Sequence, residues 1–120
     1  MAATVLLCDG SAFVRDLFGD ALEGAGWTVV ARVGTGEAAL AAARTHRPQV
    51  VVLDLLFPDR DGLELLSELR GLSPSPALVV CTGVADAAVR AVCLAAGASS
   101  VVTKPLSPAR IAEALRGVAR

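Results

Sequence analysis

Four polar side chains stand at the ends of short apolar runs in this sequence. They are two carboxylates, a hydroxyl and an ammonium, from Asp9, Asp54, Thr82 and Lys104. An acid at the end of a buried strand is costly to place there, so it usually serves a function. An ammonium is a point charge that fits beside a carboxylate or a phosphate in a tight space where a guanidinium fork does not. Brought together, the four side chains would line one charged, ligand-binding crevice.

Each of these residues also has an ordinary structural interpretation. An acid at a strand end can cap the next helix, and a lysine can simply lie in solvent. Lys104, however, is the only lysine among the eleven Lys and Arg residues of the chain. The use of an ammonium at this one position favours a specific role for it.

The elements that would position the four residues alternate along the chain. Apolar, β-branched runs predict strands at Thr4–Cys8, Trp27–Val33, Val50–Leu53, Ala77–Thr82 and Ser100–Thr103. The spacing of apolar residues predicts helices in SAFVRDLFGDALEGAG and at about 36–45, 61–70, 86–96 and 108–119. The second strand carries Thr28 and Arg32, which suits an edge of the sheet.

Five strand–helix units in a row predict an α/β domain. The common arrangement is a flavodoxin-like (βα)5 fold, with a doubly wound parallel sheet in the strand order 2-1-3-4-5. Ligands bind such sheets at the carboxyl ends of the strands. Because the four polar residues all fall at that edge, the predicted topology brings them together.

The composition fits a single domain that spans residues 1–120, with no output domain visible. The formal net charge of −1 argues against a nucleic-acid-binding surface, which needs a basic excess. The longest apolar stretch, VVVLDLLF, is interrupted by Asp54 and is too short to cross a bilayer. The N-terminus shows no export signal, so we expect a cytoplasmic protein without a membrane partner.

The three cysteines, Cys8, Cys81 and Cys93, show no CxxC spacing and no clustering with His46. They lie in predicted strands and a predicted helix, where thiols pack as small apolar groups. Free, buried thiols are therefore the favoured interpretation, with a metal or redox role as the alternative. This usage agrees with a reducing cytoplasm.

Several motifs resemble those of one protein family. The stretch DLLFPDRDG, with Pro58 four residues after Asp54, resembles the phosphorylation loop of response-regulator receiver domains, the CheY-like family of two-component signal transduction. VLLCDGSAFVRDLF resembles the first strand and helix of that family, VVCTG its hydroxyl-bearing strand end, and AGASSVVTKPL its lysine–proline segment. The resemblance covers the whole chain in order, spacing and length.

The resemblance implies a role for each of the candidate residues. Asp54 would accept a phosphoryl group from a phosphohistidine or a small donor, with the help of Mg²⁺. Lys104 and Thr82 would bind phosphoryl oxygens, and Pro105 would follow a cis peptide bond. The metal ligands would be the carboxylates of Asp9 and Asp54 and the backbone carbonyl of Leu56.

The resemblance also implies partners. A histidine kinase or phosphotransfer protein would supply the phosphoryl group, and an unknown downstream protein would respond to it. The face made by the fourth helix, the fifth strand and the fifth helix is the family's usual homodimer surface. Such a domain is not an enzyme beyond its own phosphorylation and dephosphorylation.

Gly10 is the first departure from the family pattern. The family usually has two adjacent acids at this strand end, and Gly10 stands at the second, which generally ligates the metal directly. With one carboxylate fewer, we expect Mg²⁺ binding that is weakened but not abolished. Asp59 is one further carboxylate that the following loop offers to the metal. Gly10 can also simply ease the turn into the first helix.

Val101 is the second departure. The family commonly has Tyr or Phe at this position, three residues before the lysine, and the ring swings inward behind the threonine. With Val101 in its place, a response to phosphorylation has to pass through Thr82 and the loops around it. We therefore expect weaker coupling between phosphorylation and the conformational response.

Two functions of different classes remain. The first is a receiver domain that is phosphorylated on Asp54, supported by Thr82 and Lys104. The alternative is a degenerate receiver that acts as a phosphorylation-independent protein-interaction module, supported by Gly10 and Val101. A haloacid-dehalogenase-type phosphatase is disfavoured because no acid stands two residues after either candidate nucleophile. A flavodoxin is disfavoured because GSAFV lacks a phosphate loop rich in Ser and Thr.

Overall fold

Strands and helices alternate along the chain in the computed structural model, which describes residues 3–83, 86–104 and 107–118. The strands are β1 (Thr4–Cys8), β2 (Thr28–Val33), β3 (Val50–Leu53), β4 (Ala77–Thr82) and β5 (Ser100–Thr103). The helices are α1 (Ala12–Gly24), α2 (Gly36–His46), α3 (Gly62–Arg70), α4 (Ala87–Ala96) and α5 (Pro108–Arg116). Over the described ranges, no helix is long and apolar enough to span a membrane.

The five strands form one parallel sheet in the order β2-β1-β3-β4-β5. This order confirms the predicted flavodoxin-like fold. The chain moves outward from β1 to β2 and then returns past β1 to β3, so the switch point lies between β1 and β3. There Cys8 pairs with Leu53, and the next residue of each strand is therefore an aspartate at the same level.

The core has two layers, one on each face of the sheet, because successive strand side chains point to opposite faces. The layer under α2, α3 and α4 includes Leu6, Cys8, Val51 and Leu53. The layer under α1 and α5 includes Val5, Leu7, Val50 and Val52. Burial on both faces explains why these strands are apolar throughout their length.

The edge position predicted for β2 is confirmed. Arg32 turns its guanidinium back onto α1, where it lies 3.1 Å from Asp20 and 3.0 Å from Glu23. Its side chain crosses Gly19, where a Cβ would lie 2.3 Å from Cζ of Arg32. The polar residue on this strand therefore joins the edge of the sheet to the first helix.

Side chains cap the first turns of four helices. The caps are Ser11, Thr35, Asp61 and Asp86, each of which accepts a backbone N–H from the helix that it precedes. Asp61 and Asp86 were predicted as helical residues, and the structure places them one position before the helix. Pro108 occupies the first position of α5 as predicted.

Candidate functional site

The carboxyl ends of four strands meet at one edge of the sheet. Asp9 follows β1, Asp54 follows β3, Thr82 ends β4 and Lys104 follows β5. Backbone hydrogen bonds hold these ends at the same level: the N–H of Asp54 donates to the carbonyl of Cys8 at 3.1 Å, and that of Lys104 donates to the carbonyl of Thr82 at 2.8 Å. The sheet therefore positions the four side chains that the sequence singled out.

Lys104 joins the two carboxylates. Its Nζ lies 2.5 Å from Oδ2 of Asp9 and 2.9 Å from Oδ2 of Asp54. The two acids are buried, with 4% and 9% of their surfaces exposed. Burial lowers the pKa of Lys104, but its hydrogen bonds to Asp9 and Asp54 outweigh that effect and raise it above its ordinary value. The site therefore holds a stable cation between two acids.

Each carboxylate uses its second oxygen to hold its own loop. Oδ1 of Asp9 accepts the N–H of Ser11 at 2.9 Å. Oδ1 of Asp54 accepts the N–H of Leu55 at 2.6 Å and, more weakly, that of Leu56 at 3.4 Å. Both acids are thus fixed in orientation at the strand ends, with Oδ2 directed to Lys104.

Gly10 leaves space where a second acid would stand. A Cβ at this position would meet only the carbonyl oxygen of Leu56, at an ordinary contact distance of 3.6 Å. The Leu56 carbonyl oxygen therefore lies next to Gly10, and Leu56 itself is 78% exposed. The position can therefore accept a Cβ without rearrangement.

The donors in the crevice suit a hard divalent cation. They are the carboxylates of Asp9 and Asp54 and the carbonyl of Leu56, and Mg²⁺ prefers oxygen ligands and keeps several of its waters. Within the part of the chain that the structure describes, no group of three or more His, Cys, Asp or Glu side chains could hold a metal ion. The donor set fits Mg²⁺, but with little negative charge and with Lys104 already on both acids.

Asp59 does not belong to this crevice. Its carboxylate accepts the backbone N–H groups of Gly36 at 2.8 Å and Glu37 at 3.0 Å. These hydrogen bonds lower its pKa. The side chain therefore binds the start of α2, and the structure assigns it no part in a metal site.

Cys81 lies beside the crevice, directly before Thr82. Burial raises the pKa of its thiol to about 12, while the charge of Lys104 opposes this increase and the charges of Asp54 and Asp9 add to it. Burial likewise raises the pKa of Cys8. All three cysteines are free and buried, which confirms the prediction for them.

Val101 stands where the resemblance to receiver domains leads us to expect an aromatic ring. It is buried, pairs with Val80 of β4 and packs in the core layer under α2, α3 and α4. Its carbonyl accepts a hydrogen bond from Nη1 of Arg90 at 2.6 Å, which joins α4 to β5. Pro105 and the cis bond expected before it lie outside the described residues.

Two arginines at the site were missed by the sequence analysis. Arg90 is one, and Arg15 is the other: its Nη1 donates to the backbone carbonyl of Asp9 at 2.6 Å. Arg90 lies in no motif, and Arg15 lies within VLLCDGSAFVRDLF without any feature of that stretch marking it. Their partners are backbone carbonyls, which leave no mark in the sequence.

Comparison with known proteins agrees with this arrangement. Residues 5–116 match the model of the response regulator receiver domain. The chain is 28% identical to the chemotaxis protein CheY of Thermotoga maritima over 120 residues, with all of both chains covered. It is 37% identical over 117 residues to the probable transcriptional regulatory protein TcrX of Mycobacterium tuberculosis, covering 98% of this chain and 50% of TcrX.

Solved structures agree as well. Chemotaxis response regulator CheY4 of Vibrio cholerae superposes with a TM-score of 0.90 at 27% identity, covering 98% of this chain and 99% of CheY4. The chain therefore belongs to the response regulator receiver domain family, and it is a CheY-like receiver domain of two-component signalling. Such domains are signalling modules rather than enzymes, and they generally use Mg²⁺.

Proposed function

We propose that this receiver domain is phosphorylated on Asp54. The observation that supports this most is the contact of Lys104 with Asp54 in a crevice that Asp9 also enters. A carboxylate oxygen of Asp54 attacks the phosphorus of a phosphohistidine or a small phosphodonor. A new P–O bond forms, the bond from phosphorus to the donor breaks, and the donor leaves with its electron pair. Lys104 neutralises negative charge on the transferred phosphoryl group, and Thr82 forms a hydrogen bond to that group.

Asp9, Asp54 and the carbonyl of Leu56 would hold Mg²⁺ in this domain. When bound there, Mg²⁺ would neutralise charge on phosphoryl oxygens and favour in-line transfer. Because Gly10 supplies no carboxylate, and because Lys104 contacts both acids, we propose that the affinity for Mg²⁺ is low. The protein's own contribution is to orient the nucleophile through the N–H groups of Leu55 and Leu56.

The response to phosphorylation passes through Thr82 and the loops around it, because Val101 has no ring to move. We propose that phosphorylation is coupled to the conformational response more weakly than it would be with an aromatic residue at this position. Phosphate would come from a histidine kinase or a phosphotransfer protein, and the signal would pass to a downstream protein through the β4–β5 side of the domain. The chain acts as a single receiver unit in this scheme.

The second candidate is a receiver that binds a partner without being phosphorylated. Gly10 and Val101 favour it, because each removes a side chain that the phosphorylated state normally uses. The two candidates differ in one measurable property, which is whether Asp54 gains a phosphoryl group.

The test is incubation with acetyl phosphate and Mg²⁺, followed by intact mass spectrometry and peptide mapping. One phosphoryl adduct on Asp54 is expected, with none in Asp54→Asn. An adduct that persists in Asp54→Asn contradicts the assignment of the acceptor. An adduct in Gly10→Asp but not in the natural sequence locates the defect at the metal, and no adduct in either chain supports the second candidate.

A further inference from the structure

Helix α4 has an apolar surface that the fold does not bury. Its sequence, AAVRAVCLAA, contains a single charged residue, Arg90. Only Cys93 is fully buried, and Val92 remains 50% exposed. A helix that is apolar nearly all round is normally enclosed by other elements, so a large part of this one has no covering within the described residues.

The exposed side of α4 forms one wall of a groove against α3. The groove has a volume of about 260 Å³ and is lined by Leu55, Leu63, Ala88, Val89, Val92 and Cys93. All six side chains are apolar or weakly polar. Such a groove stabilises a partner by burial of apolar surface.

A charged residue lies at each end of α4, and the two charges are opposite. At the start of α4, Asp86 is the cap and accepts the N–H of Val89 at 2.9 Å. At the other end, the side chain of Arg70 crosses Gly97, where a Cβ would lie 2.3 Å from its Cδ, and Gly97 has a φ of +119°. Among the described residues, neither Asp86 nor Arg70 takes part in an ion pair.

We propose that this groove binds a second copy of the chain, with the two α4 helices antiparallel about a two-fold axis near Val92. A two-fold axis places the same patch on both sides, so the patch must complement itself. Here it does: each Asp86 meets the partner's Arg70, and Val92 of each copy enters the groove of the other. Antiparallel helices also place opposite ends of their dipoles together.

This surface differs from the one expected from family resemblance. Arg90 reaches β5, so that side of α4 faces β5. Leu94 stands four residues later on the same side and is 47% exposed. Val92 is two residues from both and faces the groove. Substitutions of Val92 and Leu94 therefore form a matched pair, because Val92 lies on the groove side of α4 and Leu94 on the β5 side.

The dimer is expected to be weak, because one short helix and a groove cover less area than a standard interface of about 1,600 Å². Sedimentation equilibrium from about 10 µM to about 1 mM, without a phosphodonor, covers the relevant affinities. The natural chain should self-associate, Val92→Glu should weaken association at least about tenfold, and Leu94→Glu should leave it unchanged. These measurements do not depend on phosphorylation of Asp54.

The charges provide an independent test. Asp86→Ser keeps a capping side chain, and Arg70→Gln keeps the aliphatic stem over Gly97. Each substitution should weaken association several-fold. The double variant should weaken association by less than the product of the two single-variant factors, because the two residues contact each other across the interface. A natural chain that remains monomeric at the highest concentration overturns the proposal and leaves the groove to a different partner. Loss of association in Leu94→Glu but not in Val92→Glu overturns it in favour of the β5 side.

Discussion

Nζ of Lys104 lies 2.9 Å from Oδ2 of Asp54, although 50 residues separate them in the chain. They follow strands that are not neighbours, because β4 lies between β3 and β5. The long lysine side chain therefore reaches across the end of an intervening strand and also contacts Asp9 beyond it. One cation therefore holds both buried carboxylates of the crevice through direct contacts.

Gly10→Asp should tighten Mg²⁺ binding by about tenfold or more, because it adds a carboxylate beside the Leu56 carbonyl. The space is open, with 3.6 Å between the new Cβ and that oxygen. Isothermal titration calorimetry measures the affinity, and Gly10→Asn, which matches the size without the charge, should gain much less. Equal affinities for Gly10→Asp and the natural sequence would contradict a metal site at this position.

Lys104→Met should lower the free energy of unfolding by about 1–3 kcal/mol, because it leaves two buried carboxylates together without a cation. Added Mg²⁺ should then raise the Tm of the variant more than that of the natural chain, since a metal cation replaces the lost ammonium. Thermal unfolding with and without Mg²⁺ measures both effects. An identical Mg²⁺ shift in the two chains would show that the ammonium and the metal do not share these acids.

Gly62→Ala and Gly10→Ala make the same chemical change with opposite expected results. At Gly62 a Cβ would lie 2.2 Å from the carbonyl oxygen of Leu55, which is backbone and cannot move aside. We expect a loss of about 1–3 kcal/mol in unfolding free energy there, and a change within about 0.5 kcal/mol at Gly10. Urea denaturation compares them, and similar losses at both positions would argue against this packing of the loop.

Arg90→Ala should make local opening of α4 more frequent, because it removes the hydrogen bond of 2.6 Å to the Val101 carbonyl on β5. A single bond of this type contributes about 1 kcal/mol, so amide hydrogen exchange in α4 should accelerate several-fold. Arg44→Ala, at an exposed position on α2, is the control and should leave α4 unaffected. Unchanged exchange in Arg90→Ala would show that the helix is held by packing alone.

Asp59→Asn should destabilise the domain at neutral pH but not in acid. The pKa of Asp59 is lowered in the fold by the N–H groups of Gly36 and Glu37. Its charge therefore stabilises the fold above the unfolded pKa of about 4, and this contribution is lost as the pH falls through the lower, folded value. The difference in Tm between the two chains should be present at pH 7 and shrink below about pH 4. A difference independent of pH would assign the effect to shape rather than charge.

Local patterns in the chain were sufficient to predict the fold. Four strands have the predicted bounds, and β2 begins one residue late, at Thr28. This accuracy has a physical cause. Strands buried on both faces are apolar throughout, whereas in helices with one buried side the apolar residues recur with the helical period. The helix starts were one residue early at Asp61 and Asp86, because a cap has an extended backbone while its side chain serves the helix.

The candidate site was predictable to the same extent, since every parallel strand ends at the same edge and each of the four polar residues stands at such an end. The contacts within the site were not. Which acids share Lys104, the attachment of Asp59 to α2 and the bond from Arg90 to β5 all join elements that are distant in the chain. Side-chain periodicity describes one element at a time, so contacts of this kind depend on how the elements pack together in three dimensions.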